Sequence, residues 1–342
     1  MNQFVLADCT TESGALAQLG QQASNGAVVK AGGVDLLDLM KNGVVAPPRL
    51  VNICNIAGMR GIREMDKGEA SQGMHIGALT TLAEISEHPL IQSRYTIVSD
   101  ACGHAATPHI RNMATIGGNL LQQNRCWYFR SDDFQCLKKG KDTCFAFAGL
   151  NQYHAIFDNK TCPSVAPSSA AVALLALDAS VELSSAKHGK RVVAIKDFYV
   201  QPDVNPMTRT VIAPDELLTA VILPRPVAGT RSAYQKYGEK QSYDWAIADA
   251  GVVLEMDGTI CRRAAIVMGA ASPVVRRAPQ AEAMLTGKPI TEQTARVAGK
   301  AAMEGAQPLS MNGDKVQLFP VAIYRTILLA AGQMGRDPSA AG

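Results

Sequence analysis

The sequence predicts a mixed fold of the α+β class, and three features of its pattern indicate it. Residues 1–56 alternate short apolar runs with stretches of helical spacing, as in a small α/β unit. Residues after 230 read as successive strands followed by helices. Between these regions LPRPVAGT, residues 223–230, carries two prolines and a glycine and marks a linker.

Composition sets the class of protein. The chain has 342 residues, of which 47% are hydrophobic and 18% charged, so it can bury a core and divide into two or three domains. A net charge of +3 without a basic run argues against nucleic-acid binding. The most apolar stretch, AAVALLALDA, is about half the ~20 residues of a membrane span. Because MNQFVLADCTTESGAL does not resemble a signal peptide, we expect a cytoplasmic protein, or a periplasmic one exported with a signal-bearing partner.

The predicted elements follow the chain in order. In the first unit, the helices are ESGALAQLGQQAS and VDLLDLMKNG, and the strands are GAVVKAGG and RLVNI. From residue 60 to 225 we predict a strand at GMHIGAL, helices at TTLAEISEH and YTIVSDACGHAA, a tight turn at TIGGN, and a helix or buried segment then a strand within PSSAAVALLALDASVELSS. After the linker we predict strands at SAYQKYG, AIADAGVVLEMDGTI and RRAAIVMGAAS, with a hairpin turn at Asp257–Gly258, and then helices at QAEAMLTGK, TEQTARVAGKAAMEGA and FPVAIYRTILLAAGQMG.

Two glycine pairs are candidate phosphate sites. In VVKAGGVDLL a strand ends at Gly32–Gly33 and leads into a helix, where backbone N–H groups stabilise an anion. In TIGGN, Gly117–Gly118 let a ligand approach the backbone closely. Each motif alone is more often a structural connection, but a pair can clasp a pyrophosphate from two sides. The chain has no G-x-G-x-x-G, which disfavours a Rossmann dinucleotide site.

Four of the eight cysteines are concentrated in the polar, aromatic segment 122–162, which is too long for an ordinary connection. They are Cys126, Cys136, Cys144 and Cys162. Zinc ribbons usually contain C-x₂₋₄-C pairs, and this quartet has none. A [4Fe–4S] cluster needs four thiolates and tolerates irregular spacing. From the residues alone, an iron–sulfur cluster is favoured, while a zinc site and unliganded thiols stay open.

Lys236 and Asp244 are charged residues in otherwise strand-forming runs of AYQKYGEKQSYDWAIADAG. A lysine beside a flavin can stabilise the negative charge that develops on the ring when it is reduced. The alternative for this segment alone is a pair of surface residues.

Taken together and in order, these motifs resemble the FAD-binding medium subunit of the xanthine oxidase (molybdenum hydroxylase) family. The blocks that carry the resemblance run from about residue 4 to 330 and are AGGVDLL, IGALTTLAEI, IRNMATIGGNL, PSSAAVALLALDA, DELLTAVILP and YQKYGEKQSYDWAIADA. GLNQYHAIFDNKTCPSVAPSSAAVALLALDA further resembles the [4Fe–4S]-containing type found in bacterial periplasmic aldehyde oxidoreductase.

The resemblance implies a fold and its domains. We expect the two-subdomain flavin-binding fold of the vanillyl-alcohol oxidase type, followed by a C-terminal domain of antiparallel strands and helices. The implied subdomains are residues 1–57 and 58–225, with a [4Fe–4S] insertion at about 122–165, and the C-terminal domain is 230–335.

The resemblance also implies site residues. The first turn should wrap the FAD pyrophosphate with backbone amides, from Val29 through Lys30, Ala31, Gly32, Gly33, Val34, Asp35 and Leu36 to Leu37. Thr115, Gly118 and Asn119 should hold it from the second motif, Leu218 should lie near the flavin ring, and Lys236 should neutralise its reduced edge. Asp244 occupies an acidic position of the family. Val34 and Ser169 depart from the family's usual Thr and Asp. The four cysteines of segment 122–162 should bind the cluster.

The function implied is electron transfer. A molybdopterin-binding large subunit would oxidise an aldehyde or aromatic heterocycle, a [2Fe–2S] small subunit would pass the electrons on, and FAD in this chain would deliver them to an acceptor. No residue of this chain need be an acid–base catalyst. The alternatives are the equivalent subunit of a 4-hydroxybenzoyl-CoA reductase-like enzyme, a zinc-stabilised scaffold without a redox role, and a stand-alone FAD oxidase.

Overall fold

A computed structural model describes residues 1–22, 26–66, 73–240 and 242–335. The first unit is a parallel sheet of order β1-β3-β2. Its strands are β1 (Val5–Asp8), β2 (Ala27–Lys30) and β3 (Arg49–Asn52), and its helices are α1 (Glu12–Gln22) and α2 (Leu36–Lys41). Parallel strands are joined by crossover connections. Helix α1 lies in the connection from β1 to β2, and helix α2 lies in the connection from β2 to β3. The predicted helices and strands of residues 1–56 are therefore confirmed.

The second sheet is antiparallel and has the order β4-β5-β8-β6-β7. Its strands are β4 (Ile62–Glu64), β5 (Met74–Gly77), β6 (Ser180–Ser185), β7 (Gly189–Ala194) and β8 (Glu216–Leu223). The central strand β8 reads ELLTAVIL and is buried at all but one position, because it has neighbours on both edges and helices against its face.

Helices fill the space between the strands of this second region. They are α3 (Leu82–Glu87), α4 (Pro89–Arg94), α5 (Thr96–Gly103), α6 (Pro108–Arg111), α7 (Ile116–Leu121), α8 (Trp127–Arg130), α9 (Ser169–Ala176) and α10 (Ile195–Phe198). The predicted helix at TTLAEISEH is confirmed, and Thr81 and Glu84 form a capping box at its start. Helix α9 is almost entirely buried and uniformly apolar, which explains why its sequence showed no helical periodicity.

The C-terminal part is an antiparallel sheet of order β12-β11-β10-β9 with three helices. Its elements are β9 (Thr230–Tyr237), β10 (Ala248–Asp257), β11 (Ile260–Met268), β12 (Arg276–Arg277), α11 (Pro279–Leu285), α12 (Glu292–Ala301) and α13 (Lys315–Ala330). The predicted hairpin is confirmed. Asp257 still belongs to β10 and pairs with Ile260, so the loop begins at Gly258, which has a φ of 58°. The α+β class is therefore confirmed.

Two large hydrophobic cores stabilise the described chain, and a third, small cluster of Leu39, Phe129 and Cys136 lies at segment 122–165. Of the two large cores, one joins the first sheet, the second sheet and helix α5, and the other lies between β10, β11 and the C-terminal helices. Among the described residues, no helix has both the length and the apolar character that crossing a bilayer requires.

Candidate functional site

A cavity of about 440 Å³ lies where the first sheet, the second region and the C-terminal sheet meet. Seven of the residues predicted to bind a cofactor line it: Val34, Asp35, Gly118, Asn119, Ser169, Lys236 and Asp244. Nine are not part of its lining: Val29, Lys30, Ala31, Gly32, Gly33, Leu36, Leu37, Thr115 and Leu218. The structure thus brings together residues that lie far apart in the sequence.

The first glycine turn carries free backbone donors beside this cavity, which its residues Val34 and Asp35 line. Strand β2 ends at Lys30, Gly33 takes a φ of 78°, and the Leu37 N–H donates back to the Gly33 carbonyl. Within the described part of the chain, the backbone N–H groups of residues 32–35 have no hydrogen-bond acceptor. Successive free N–H groups in a turn of positive φ form a concavity that suits an anion.

The second motif, TIGGN, is not the tight turn that the sequence predicts. It is the capped start of helix α7, because the Thr115 hydroxyl accepts a hydrogen bond from the Gly118 N–H at 3.1 Å. Protein acceptors occupy the N–H groups of Ile116, Gly117 and Asn119 as well. The motif therefore presents the bare Cα of Gly118 and the Asn119 side chain to the cavity, rather than free backbone donors.

Ser168 fixes the Asn119 side chain. The Ser168 hydroxyl donates to Asn119 Oδ1 at 2.6 Å and accepts from the Ala171 N–H, which caps helix α9. This bond uses the Asn119 amide oxygen, so the amide nitrogen stays available as a hydrogen-bond donor. The neighbouring Ser169 lines the cavity together with Asn119. Leu218 lies behind this wall, in the buried strand β8.

Lys236 extends into the cavity from strand β9. Its Nζ donates to the His104 carbonyl at 2.7 Å and to the Asp244 carbonyl at 3.2 Å. Burial lowers the pKa of Lys236, whereas the charges of Asp249 and Asp244 act to raise it. Backbone carbonyls therefore hold the Lys236 Nζ, and two acidic side chains lie near it. A cation in this position is suited to contact an electron-rich ligand.

An ionic cluster ties the first turn to segment 122–165, which we call the insertion. Asp35 Oδ1 forms an ion pair with Arg125 at 2.8 Å and accepts a hydrogen bond from Arg130 at 2.6 Å, and Asp35 Oδ2 accepts from the Gln123 N–H at 2.8 Å. Burial lowers the pKa of Arg125 to about 10, with Asp35 opposing the shift. Arg125 also stacks at 4.0 Å over Trp245, on the far side of the cavity mouth.

All four cysteines of the insertion line one small cavity, together with Tyr128, Phe129 and Phe145. Cys126 and Cys136 each directly precede a short helical turn. Burial raises the pKa of Cys126 to about 12 and that of Cys144 to about 11, with smaller contributions from neighbouring thiol groups of the quartet. In the described residues, no three His, Cys, Asp or Glu side chains are close enough to hold a single metal ion.

His154 lies against the quartet. Its Nε2 is 3.3 Å from Cys126 Sγ. Burial, and then the charge of Lys315, lowers the pKa of His154 to about 4, so its ring is neutral at pH 7. The Lys315 Nζ, which is fully buried, donates to the His154 carbonyl at 3.0 Å and to the Ala270 carbonyl at 2.6 Å.

Sequence reasoning missed two residues of the site. Asp249 lines the cavity, is 3% exposed, and accepts hydrogen bonds from Tyr234 and from the Ala270 N–H. Burial raises the pKa of Asp249, although these bonds and the charge of Lys315 oppose the shift. Arg125 is the second. An acid inside the apolar run AIADAGVVLEM is a signal that could have identified Asp249. Nothing in the sequence near Arg125 indicates its partner Asp35.

Comparisons with known proteins show which class of protein this is. The model of the FAD binding domain in molybdopterin dehydrogenase matches residues 7–226, and that of the CO dehydrogenase flavoprotein C-terminal domain matches residues 232–318. The fold and the cavity are thus those of an FAD-binding oxidoreductase subunit.

Individual relatives agree. The aldehyde oxidoreductase FAD-binding subunit PaoB of Escherichia coli is 35% identical over 71% of this chain and 75% of its own length. The carbon monoxide dehydrogenase medium chain of Hydrogenophaga pseudoflava is 27% identical over 94% and 90%. The structure of carbon monoxide dehydrogenase from Hydrogenophaga pseudoflava superimposes with a TM-score of 0.75 at 25% identity, covering 98% and 99% of the two chains. The chain belongs to the FAD-binding medium subunits of the molybdenum hydroxylase (xanthine oxidase) family.

Proposed function

We propose that this chain is the electron-transferring subunit of a molybdenum-containing aldehyde oxidoreductase or hydroxylase, and that it carries a [4Fe–4S] cluster in addition to FAD. The observation that carries the proposal is the neighbourhood of two sites: four thiols around one cavity, joined through Asp35 and its arginines to the FAD cavity. We further propose a molybdopterin-binding large subunit and a [2Fe–2S] small subunit as partners, and a cytoplasmic location unless a partner directs export.

The described residues fit FAD. The free N–H groups of residues 32–35 would hold the pyrophosphate, with Asn119 and Ser169 beside it. Lys236 would lie at the electron-rich edge of the flavin, where its charge stabilises added electrons. When bound, FAD can take up electrons singly and release them in pairs.

The insertion fits a cluster by the chemistry of its donors. Cys126, Cys136, Cys144 and Cys162 would be the ligands, because four thiolates are the donor set of a [4Fe–4S] cluster. Tyr128, Phe129 and Phe145 would exclude water from it. A [4Fe–4S] cluster supplies one-electron transfer. The similarity to an aldehyde oxidoreductase subunit favours an aldehyde as the substrate of the assembly.

The test is the visible spectrum and metal content of anaerobically purified protein. We expect a flavin band near ~450 nm above a broad shoulder, and about four irons per chain. Cys136→Ser should lose iron and keep FAD. Cys261→Ser is the matched control, because Cys261 is buried in the C-terminal core and a serine keeps its hydrogen bond to the Arg263 carbonyl.

Other outcomes separate the alternatives. Zinc in place of iron would refute the cluster, and full iron in Cys136→Ser would refute the ligand assignment. Flavin-free, zinc-containing protein would favour the scaffold, and turnover by the isolated chain would favour a stand-alone oxidase.

A further inference from the structure

Two positively charged side chains lie beside the cysteines, in cavity linings that contain no carboxylate. Lys138 lines the cavity together with the four cysteines, and it also lines a second small cavity with Arg209 and Cys162. Neither lining contains an aspartate or a glutamate. No ion pair within the described residues involves Lys138 or Arg209.

Among the described residues, Lys138 and Arg209 make only weak contacts with the rest of the protein. The Lys138 Nζ reaches the Pro206 carbonyl at 3.4 Å and lies 5.6 Å from the Phe129 ring centre. The Arg209 guanidinium lies 5.5 Å from the Tyr199 ring centre, and its Nε is buried without a hydrogen-bond acceptor among the described residues. Both side chains line the second small cavity, so their like charges repel, and the charge of Asp35 reaches Arg209 from outside that lining and partly offsets the repulsion.

Arg209 comes from outside the insertion, on the loop that follows helix α10. Strand-like pairing of Tyr199 with Thr210 closes this loop. The loop contacts the insertion through Pro206 and through a hydrogen bond from Thr161 to Asp203. The positions of the two cations are therefore fixed by two separate segments that meet over the cysteines.

Like charges held together at low exposure destabilise a fold unless an anion lies between them. Four thiolates around an oxidised cubane leave a net negative charge, and reduction adds one more. Lys138 lines the same cavity as the four cysteines, so it would lie beside that negative charge.

We propose that Lys138 and Arg209 are the counter-charges of the cysteine site and that they raise the reduction potential of the cluster bound there. This inference rests on the proposed function. Because the reduced cluster carries more negative charge than the oxidised one, two nearby cations stabilise the reduced form more, and electron acceptance becomes more favourable. Lys138 and Arg209 would act on the cluster through their charge and would not coordinate its iron.

The test is a reductive titration of the cluster in the assembled enzyme, followed by electron paramagnetic resonance, with iron content measured on the same samples. Lys138→Met and Arg209→Met each remove a charge while keeping an unbranched side chain of similar reach. We expect both to keep their iron and to shift the midpoint potential to more negative values, with a larger shift in the double variant. Lys138→Arg, which keeps the charge, should restore the wild-type value.

Lys141→Met is the matched control. Lys141 is exposed and lines neither cavity, so water and salt screen its charge and the shift should be several times smaller. Variants that bind iron but keep the wild-type potential would overturn the inference and leave the proposed function standing. A wild-type enzyme without iron would overturn the proposed cluster itself. If Lys138→Met does not fold, the midpoint potentials of Lys138→Gln and Arg209→Met test the same inference.

Discussion

The backbone of Gly32 lies directly against the carbonyl group of Met113. A Cβ built on Gly32 would lie 1.9 Å from the Met113 oxygen and 2.9 Å from the carbonyl carbon. Because both partners are backbone, neither can move aside as a side-chain tip does. The two glycine motifs therefore meet through this contact, since Met113 lies just before Thr115 and helix α7.

Gly32→Ala should push the first turn away from helix α7. We expect a loss of about 1–3 kcal/mol in the free energy of unfolding, as for other overpacked sites, together with a marked fall in bound FAD. Flavin stoichiometry and thermal unfolding measure both effects.

Gly20→Ala is the control for this substitution. Gly20 lies in helix α1, where an added Cβ meets nothing within 4 Å, so alanine should be neutral or add up to ~1 kcal/mol of stability. Normal FAD content in Gly32→Ala would show that the contact does not shape the cofactor site.

Asp35 connects the first turn to the insertion, and Asp35→Asn should weaken that connection. The variant loses the charge that pairs with Arg125 and Arg130, whose side chains are only 21% and 11% exposed. Hydrogen bonds to charged groups contribute about 1.5–3 kcal/mol each, so we expect a loss of ~2–3 kcal/mol and a lower FAD content. Thermal unfolding and flavin absorbance measure the two effects.

Asp257→Asn is the control, because Asp257 pairs with Arg262 outside the cavity lining and their side chains are 64% and 67% exposed. Exposed ion pairs contribute roughly 0–1 kcal/mol, so this variant should stay close to wild type. Equal losses in the two variants would argue against a specific role for Asp35.

The sequence predicted the fold well where local signals agree. Strands β9, β10 and β11 form as predicted. Their sequences alternate between apolar and polar residues or are continuously apolar, and the Asp257–Gly258 turn separates β10 from β11. TIGGN was predicted wrongly because two glycines lower helix propensity. Packing overrides this: Gly117 fits against Ala78, where an added Cβ would lie 3.1 Å from both the Ala78 Cβ and the Ala78 carbonyl oxygen.

The site was predictable only in part, for a similar reason. Lys236 stands out as a charged residue in a strand-forming run, and the structure places it in the cavity. The pairing of Asp35 with Arg125 joins segments that are distant in the sequence, and neither residue is unusual in its local context. The position of Lys138 and Arg209 in one cavity with Cys162 likewise depends on two separate loops meeting.

Lys236→Met should make bound FAD harder to reduce. If Lys236 lies at the edge where negative charge develops, its loss destabilises the reduced flavin and shifts the midpoint potential to more negative values. A spectroscopic redox titration of the flavin measures the shift. Lys240→Met removes an exposed lysine from the same segment and should leave the potential unchanged. Equal potentials in Lys236→Met and wild type would refute the assignment.

Lys315 predicts a pH dependence of stability. Burial lowers the pKa of Lys315 to about 7, with Asp249 opposing the shift, whereas in the unfolded chain the pKa returns to its ordinary 10.5. Between these values the unfolded chain holds a proton that the folded chain has released, so this residue makes the fold more stable as pH rises. Below pH 7 both states are protonated and the contribution is constant.

Comparison with Lys315→Met isolates this effect. The variant leaves the His154 and Ala270 carbonyls without their donor, which should cost ~2–4 kcal/mol. The difference in melting temperature between wild type and variant should then widen from pH 6 to pH 9, because only the wild type gains stability over that interval. Lys187→Met, at an exposed lysine, should give the same small difference at both pH values. A difference for Lys315→Met that stays constant or narrows would mean that Lys315 remains charged in the folded protein.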